Sequence, residues 1–472
     1  MKGEPMLLNI NHQSKKPLYI QIYEKIKDKI NQSELLQGQK LPSKRQLAAN
    51  NGISQNTVIK AYDQLLVEGY IRSEERRGYF VEDIDFLQMP LQSTKFYEDF
   101  ALEKKKTEHF LVDLTRSNPD PSLFPVSVFS KIYTNLLNSQ DESLLRASSG
   151  QGLFELRHSI AAYLSQSRGV PCQTDQLVLA PNSQLLLEIL FNLYPEIQKI
   201  GMEDPGYPGY QSLFKVRKIE EKAIPLDEEG LVIDQLYQSG ADTVFVTPNH
   251  QFPTGSIMPL ERRQQLLMWA QEKPSRIIIE DDYDGEFKYS GIPVPPLIQL
   301  DHHQQVVYLG SFTRVLSPGI RLSYLVLPEK MIKRFNDSYT HLSSSLSSFT
   351  QHAVHEFIKA GHFTSHLNRS RRLYKKKRDL LIQSIQAIDS EALFYGEEAG
   401  LSLLVKPGHC FNGPKLKEVC LREGIRLNLL SDYKNQPSEQ DEKIIFLSFS
   451  SIPLEKIDHL IKQIYHLIKN HS

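Results

Sequence analysis

The sequence predicts two folded parts: a small three-helix domain closed by a β-hairpin, then a large α/β layer domain with a largely parallel sheet. Three observations carry this. Apolar residues recur at helical spacing in the first 66 residues, each time beside a start or stop signal. Two short apolar runs then flank a polar, glycine-bearing stretch at 70–81. Beyond residue 112, short apolar runs alternate with helical patterns.

Leu18, Ile22, Ile26 and Ile30 recur every four residues with Lys25, Lys27 and Lys29 between them, an amphipathic helix. Ser43 followed three residues later by Gln46 has the form of a capping box, so a second helix starts there and stops at Gly52. Ser54 caps a third helix, in which Val58, Ala61, Tyr62, Leu65 and Leu66 form one apolar stripe and which Gly69 ends. Its opposite face shows Gln55, Asn56, Thr57 and Lys60, polar groups able to reach base edges or phosphates. Tyr70–Arg72 and Tyr79–Val81 flank Glu74-Glu75-Arg76-Arg77-Gly78, a wing with a basic tip. These elements make a winged helix-turn-helix over residues 14–82.

The segment LPSKRQLA…GISQNTVIKAYDQLLVEGYI…RRGYFV resembles the GntR family of bacterial transcription regulators across 17–82. The resemblance implies phosphate or groove contacts from Arg45, Lys60 and Arg77, and base-facing roles for Gln55 and Thr57. Ser54, Asn56, Arg76 and Gly78 complete the expected DNA surface. The family usually carries Arg at the Gln55 position, so the base preference departs from it. Residues 1–82 hold 13 Lys/Arg against 9 Asp/Glu, a modest local surplus. The whole chain has a formal net charge of −1, which excludes a polycation.

From 83 to 111 the periodicity fades into an expected semi-flexible linker with one short helix and the Lys104-Lys105-Lys106 run. Cys172, Cys410 and Cys420 lie far apart, giving neither a disulfide framework nor a zinc site and suiting a reducing cytoplasm. No signal-peptide core and no run of membrane-spanning length is present in the 472 residues, so a cytoplasmic protein is expected.

In residues 112–472, Val244–Val246, Ile277–Ile279, Val306–Leu309 and Tyr324–Leu327 read as buried strands. Leu153–Ser165, Ser183–Tyr194 and Glu261–Glu272 read as helices between them. Such sheets bind ligands beyond the carboxyl ends of their strands. Asp281 and Tyr283 follow the Ile277–Glu280 strand, where a carboxylate can pair with a pyridinium nitrogen and a phenol can bond a ring oxygen. Tyr207, in EDPGYPGY, can stack on a planar ring. Ser183 and Gln184 open a helix, and helix N-termini bind phosphate. Ser311 and Thr313 add hydroxyls, and Arg321 a bidentate cation.

With SGQGLFELR (149–157), TPNHQFPTG (247–255) and GSFTRVLSPGIRLSY (310–324), these residues resemble a fold-type I, pyridoxal phosphate (PLP)-dependent aminotransferase over about 112–470. A GntR-type reader joined to such a domain is similar to the MocR/GabR-like subfamily of GntR regulators. The resemblance implies that Asp281 pairs with the cofactor nitrogen, Tyr283 bonds its phenolic oxygen, Tyr207 stacks, and Ser183, Ser311, Thr313 and Arg321 hold its phosphate. It also implies a head-to-tail homodimer on a double-stranded DNA operator, with a small-molecule effector.

The departures are specific. The Schiff-base lysine position is Arg314. A guanidinium stays protonated and is no nucleophile, so no catalytic residue is assigned. Arg314 either bonds an aldehyde or phosphate oxygen noncovalently or fills the lysine's slot. Gly209 and Ser451 stand where the family places arginines for the effector carboxylate, and Ala180-Pro181-Asn182 replaces its glycine-rich turn. A different effector, or none, is therefore expected. The expected function is a transcription regulator whose aminotransferase-like domain senses a small ligand, PLP or a PLP-related or amino compound, held noncovalently. The alternatives are an aminotransferase with an attached DNA-binding domain, and a sensor that has abandoned PLP. Arg369–Arg378 carries seven basic residues in ten ahead of a Leu380, Leu381, Ile385, Ile388 stripe, an expected solvated helix. The Ser343–Ser348 cluster is placed where this fold has a helix near the dimer interface.

Overall fold

The computed structural model describes residues 6–11, 14, 16–83, 110–290, 294–339 and 341–470. The chain divides into two compact units, Met1–Thr107 and Glu108–Ser472. The expected linker helix and the Lys104–Lys106 run lie outside the described residues.

In the first unit, helices α1 (Leu18–Asn31), α2 (Lys44–Asn51) and α3 (Gln55–Val67) precede strands β1 (Ile71–Glu74) and β2 (Gly78–Val81). Each boundary has a local cause. The Ser43 side chain accepts from the Gln46 amide, and Ser54 from the Thr57 amide, each at 3.2 Å. Gly52 ends α2 in the left-handed region at φ +62°, where a β-carbon is strained. The apolar stripes meet in one core of Ile22, Ile26, Ile30, Leu47, Val58, Ala61, Tyr62 and Leu65. The Tyr62 hydroxyl donates to the Pro42 carbonyl at 2.9 Å, tying α3 to the turn before α2. The strands pair antiparallel with Ile71 opposite Val81 and Glu74 opposite Gly78, leaving Glu75, Arg76 and Arg77 at the tip.

The second unit is built on an eight-stranded sheet. Its strands are β3 (Leu177–Ala180), β4 (Lys199–Asp204), β5 (Glu220–Asp227), β6 (Gly230–Leu231), β7 (Thr243–Val246), β8 (Ile277–Asp282), β9 (Val306–Ser311) and β10 (Ser323–Val326). Their spatial order is β3-β10-β9-β8-β7-β4-β5-β6. The central strands β9, β8, β7, β4 and β5 run parallel; β9, β8, β7 and β4 are largely buried, whereas β5, toward the sheet edge, is mostly exposed or half-buried. β10 runs antiparallel to both of its neighbours, β9 and β3. This antiparallel strand positions the site. Ser311, the last residue of β9, lies opposite Ser323, the first of β10, so Thr313 and Arg321 leave the sheet at the same end.

Three expectations are corrected here. β8 extends through Asp282 instead of ending at Glu280, because Asp281 and Asp282 continue the parallel register opposite Leu309 and Gly310. The Ser343–Ser348 cluster is not helical up to Ser347; helix Ser348–Lys359 starts at its end. Ser343 bridges Ser149, and the Ser344 amide donates to the Ser148 carbonyl at 3.1 Å, so this backbone is paired outside a helix.

The basic run does lie on a helix, His362–Gln386, but Lys377 faces the core with no exposed side-chain surface. Its ammonium meets Asp120 Oδ2 and the Ser450 carbonyl, both at 2.6 Å. Lys377→Ala leaves the Asp120 carboxylate without its cation, at an expected cost of about 3–5 kcal/mol. Lys377→Met with Asp120→Leu is expected to recover most of it. Chemical denaturation of wild type, the single variant and the double variant checks this.

Candidate functional site

The helix-turn-helix surface is simple. Arg45, Gln55, Asn56 and Lys60 are exposed, as are Arg76 and Arg77 at the wing tip. Gly78, at φ +110°, lets the chain re-enter β2 after Arg76, itself at φ +58°. Ser54 and Thr57 are partly committed to the helix start, their hydroxyls 2.7 Å apart. Arg77 is ion-paired with Glu74 across the turn, which orients its guanidinium.

In the second unit, all nine cofactor-site residues expected from the sequence line one cavity of about 280 Å³: Ser183, Gln184, Tyr207, Asp281, Tyr283, Ser311, Thr313, Arg314 and Arg321. The sheet explains the convergence. Asp281 and Ser311 sit at the carboxyl ends of adjacent parallel strands, and the antiparallel β10 returns Arg321 and Ser323 to the same edge. Helix Ser183–Leu193 begins at the same cavity, its first turn capped by Asn182, which accepts from the Leu185 amide at 2.8 Å.

The hydroxyls form a connected cradle. Ser323 Oγ donates to Ser311 Oγ at 2.9 Å, Ser311 to Thr313 Oγ1 at 2.9 Å, and the Thr313 amide returns to Ser311 Oγ at 3.1 Å. Arg321, exposed and held at φ +52°, has no hydrogen-bond or ion-pair partner among the described residues. A helix start, three hydroxyls and an unengaged guanidinium fit a phosphate.

On the same wall the Tyr210 hydroxyl lies 2.9 Å from Ser183 Oγ and 3.4 Å from Asp281 Oδ2, linking the helix start to the acid. Burial first, then the neighbouring Asp282, pushes the Asp281 carboxyl up to about 8, against the opposing pull of Arg314. An unfolded aspartate ionises near ~4, so the folded chain keeps a proton the unfolded chain has lost, and stability falls as pH rises from ~4 to about 8. Asp281→Asn removes that loss. Its melting point is expected to exceed wild type at pH 8 and to match it at pH 4, as thermal scans will show.

Tyr283 is held from behind. His250 Nδ1 lies 3.0 Å from Asp284 Oδ2 and 3.1 Å from the Tyr283 hydroxyl. His250 thus bridges Asp284 and Tyr283 behind the cavity wall. The Arg314 guanidinium sits 4.9 Å over the Tyr283 ring and donates to the Ser117 carbonyl at 3.4 Å. Tyr207 meets Tyr210 and Phe252 edge-on, with ring centroids 5.3 and 5.5 Å away. A β-carbon at Gly209 would fall 2.2 Å from Tyr207 Cε1, so this arrangement of Tyr207 requires glycine there. Neither Gly209 nor Ser451 is part of the cavity lining.

Sequence reasoning missed Asn182, Tyr210, Thr247, Phe252 and Ser323 in the lining, and His250 and Asp284 behind it. Asn182 had a signal, an Asn directly before a helix, and so did Tyr210, in the repeated PGY of EDPGYPGY. The His250–Asp284 contact joins distant segments and has no local signature. On the far side of β8, Asp282 pairs with Arg168 and accepts from Tyr308, so alternate residues of one strand serve the cavity and the core.

Comparison with known proteins agrees with both units. Residues 18–81 match the family of bacterial regulatory proteins, gntR family, and residues 120–427 match aminotransferase class I and II. The chain is 38% identical to the uncharacterized HTH-type transcriptional regulator YdeL of Bacillus subtilis, over 95% of this chain and 96% of that one. It is 30% identical to the HTH-type pyridoxine biosynthesis transcriptional regulator PdxR of Corynebacterium glutamicum, over 80% of each. An archaeal alanine:glyoxylate aminotransferase superposes with a TM-score of 0.68 at 23% identity, over 79% of this chain and 94% of that one, a likeness of fold.

Proposed function

Because the chain belongs to the MocR-like HTH-type transcriptional regulators, which join a GntR domain to a PLP-dependent aminotransferase fold, we propose that it is a DNA-binding regulator whose second domain holds PLP or a related compound without a covalent bond. The observation that carries this reading is the cavity wall. Asp281, Tyr283, Ser183, Ser311, Thr313 and Arg321 line one space, and the residue at the lysine position is Arg314.

When bound, the cofactor supplies a reactive aldehyde and an electron-withdrawing ring. The residues present hold such a group and do not turn it over. Asp281 would pair with the ring nitrogen, Tyr283 would bond the phenolic oxygen, Tyr207 would cover the ring, and Arg321 with the Ser311 cradle would hold the phosphate. Arg314 cannot supply a neutral amine. What a sensor requires is different affinity for the ligand in two arrangements of the protein, and turnover adds nothing to that. The regulator PdxR, related in sequence, carries pyridoxine biosynthesis in its name, which supports a vitamin B6 signal.

In this reading residues 14–82 bind the operator, 83–111 link, and 112–472 sense and dimerise. A head-to-tail homodimer places two readers on two half-sites. Val126 and Leu137, exposed on the apolar helix Val126–Asn138, are surfaces such a partner would cover. Cytoplasmic residence is supported by the three free cysteines; among the described residues no helix is long and apolar enough to cross a membrane.

The DNA half is tested by Lys60→Ala and Arg77→Ala. Each is expected to weaken binding to all duplex sequences alike and to lower the slope of log affinity against log salt by about 1. Unchanged affinity in a salt titration of both variants would refute the interface.

A further inference from the structure

Besides the phenols of Tyr207, Tyr210 and Tyr283, the cavity wall carries one carboxyl, Asp281, and two guanidiniums, Arg314 and Arg321, so cationic groups outnumber carboxyls two to one. Among the described residues neither guanidinium is ion-paired: Arg321 has no hydrogen-bond or ion-pair partner, and Arg314 lies over an aromatic face and donates to a backbone carbonyl. The one acid is reached by the Tyr210 hydroxyl and keeps its proton to about pH 8, so it offers Arg314 little countercharge at neutral pH.

We propose that this cavity selects a pyridine phosphate bearing a hydrogen-bond acceptor, an aldehyde or a carboxylate, at the carbon substituent facing Arg314, and rejects one bearing an amine there. The inference rests on the sensor reading and narrows its ligand class. A guanidinium offers five donors and no acceptor, so the group that faces it must accept. An aldehyde or carboxylate oxygen does. An aminomethyl group is an ammonium at neutral pH, with donors only and the same charge as Arg314. Its natural counterpart would be a carboxylate, and the wall has none besides Asp281. Arg314 is therefore the specificity-determining residue, and Arg321 serves both ligand types through their common phosphate.

Calorimetry on the full-length protein with pyridoxal phosphate, pyridoxamine phosphate and inorganic phosphate tests this. Wild type is expected to bind pyridoxal phosphate at least about tenfold more tightly than pyridoxamine phosphate. Arg314→Gln keeps the donor but loses the charge, and is expected to bring the two within about threefold. Arg321→Ala is expected to weaken both in equal proportion. A melting curve on each variant checks that it is folded. Equal or tighter binding of pyridoxamine phosphate by wild type overturns the inference while leaving the sensor reading intact. Discrimination that persists in Arg314→Gln overturns the role of Arg314. Failure of both pyridine phosphates to bind wild type overturns the inference and the sensor reading together.

Discussion

Arg314→Lys is expected to turn a noncovalent binder into one that carries PLP through a borohydride-reducible bond. On the proposed reading, the residues lining the cavity around that position would suit a planar, phosphate-bearing ring. The hydroxyl cradle and the capped helix start make no hydrogen bond to residue 314. A lysine amine in place of the guanidinium would share the cavity with Arg321, whose charge favours the neutral, nucleophilic form. After reduction and denaturation, near-stoichiometric labelling of the variant chain is expected, with none on wild type. An unlabelled variant that nonetheless binds PLP would mean that the lysine cannot reach the carbonyl, and that Arg314 is not simply a substituted lysine.

The second large effect is expected at Arg321. A bidentate, charge-assisted contact to phosphate contributes about 1.5–3 kcal/mol, so Arg321→Ala is expected to raise the dissociation constant for PLP roughly ten- to a hundredfold. Pyridoxal, which lacks the phosphate, should bind wild type and variant equally. That comparison separates a phosphate contact from general damage to the cavity. Asp281→Ala is the partner control: it should weaken pyridoxal and PLP alike, because it acts at the ring. If neither substitution alters calorimetric binding, the cavity is not the PLP site.

The residues that could be recognised in the sequence are those whose role is local. Ser43, Gly52 and Ser54 mark helix ends through bonds to amides three residues away or through one left-handed conformation, and both kinds of signal lie within a single turn of chain. Ile277–Ile279 announces a strand buried on both faces by its composition alone. Asp281, Tyr283, Ser311 and Arg321 could be placed because strand ends in a parallel sheet share one edge, even though the sequence does not reveal that β10 runs antiparallel.

What escaped is long-range or masked by charge. Lys377 sits on the buried face with Ser370, Tyr374 and Leu381, spacings of four, three and four that put it on the core stripe. Its charge made it look solvated, and its partner Asp120 lies more than 250 positions away in the chain. Tyr210, His250 and Asp284 act through contacts that only the folded sheet creates.

On the proposed reading, this domain keeps an aminotransferase's cofactor cradle and would use it without a covalent bond. The most direct measurement treats the full-length protein with PLP, isolates it from free ligand, reduces it with borohydride, and compares native and denatured intact masses. The claim predicts PLP on the native protein and a bare chain after reduction and denaturation. A wild-type chain carrying the added mass of the reduced cofactor on a lysine, or a native protein that retains no PLP, would contradict it.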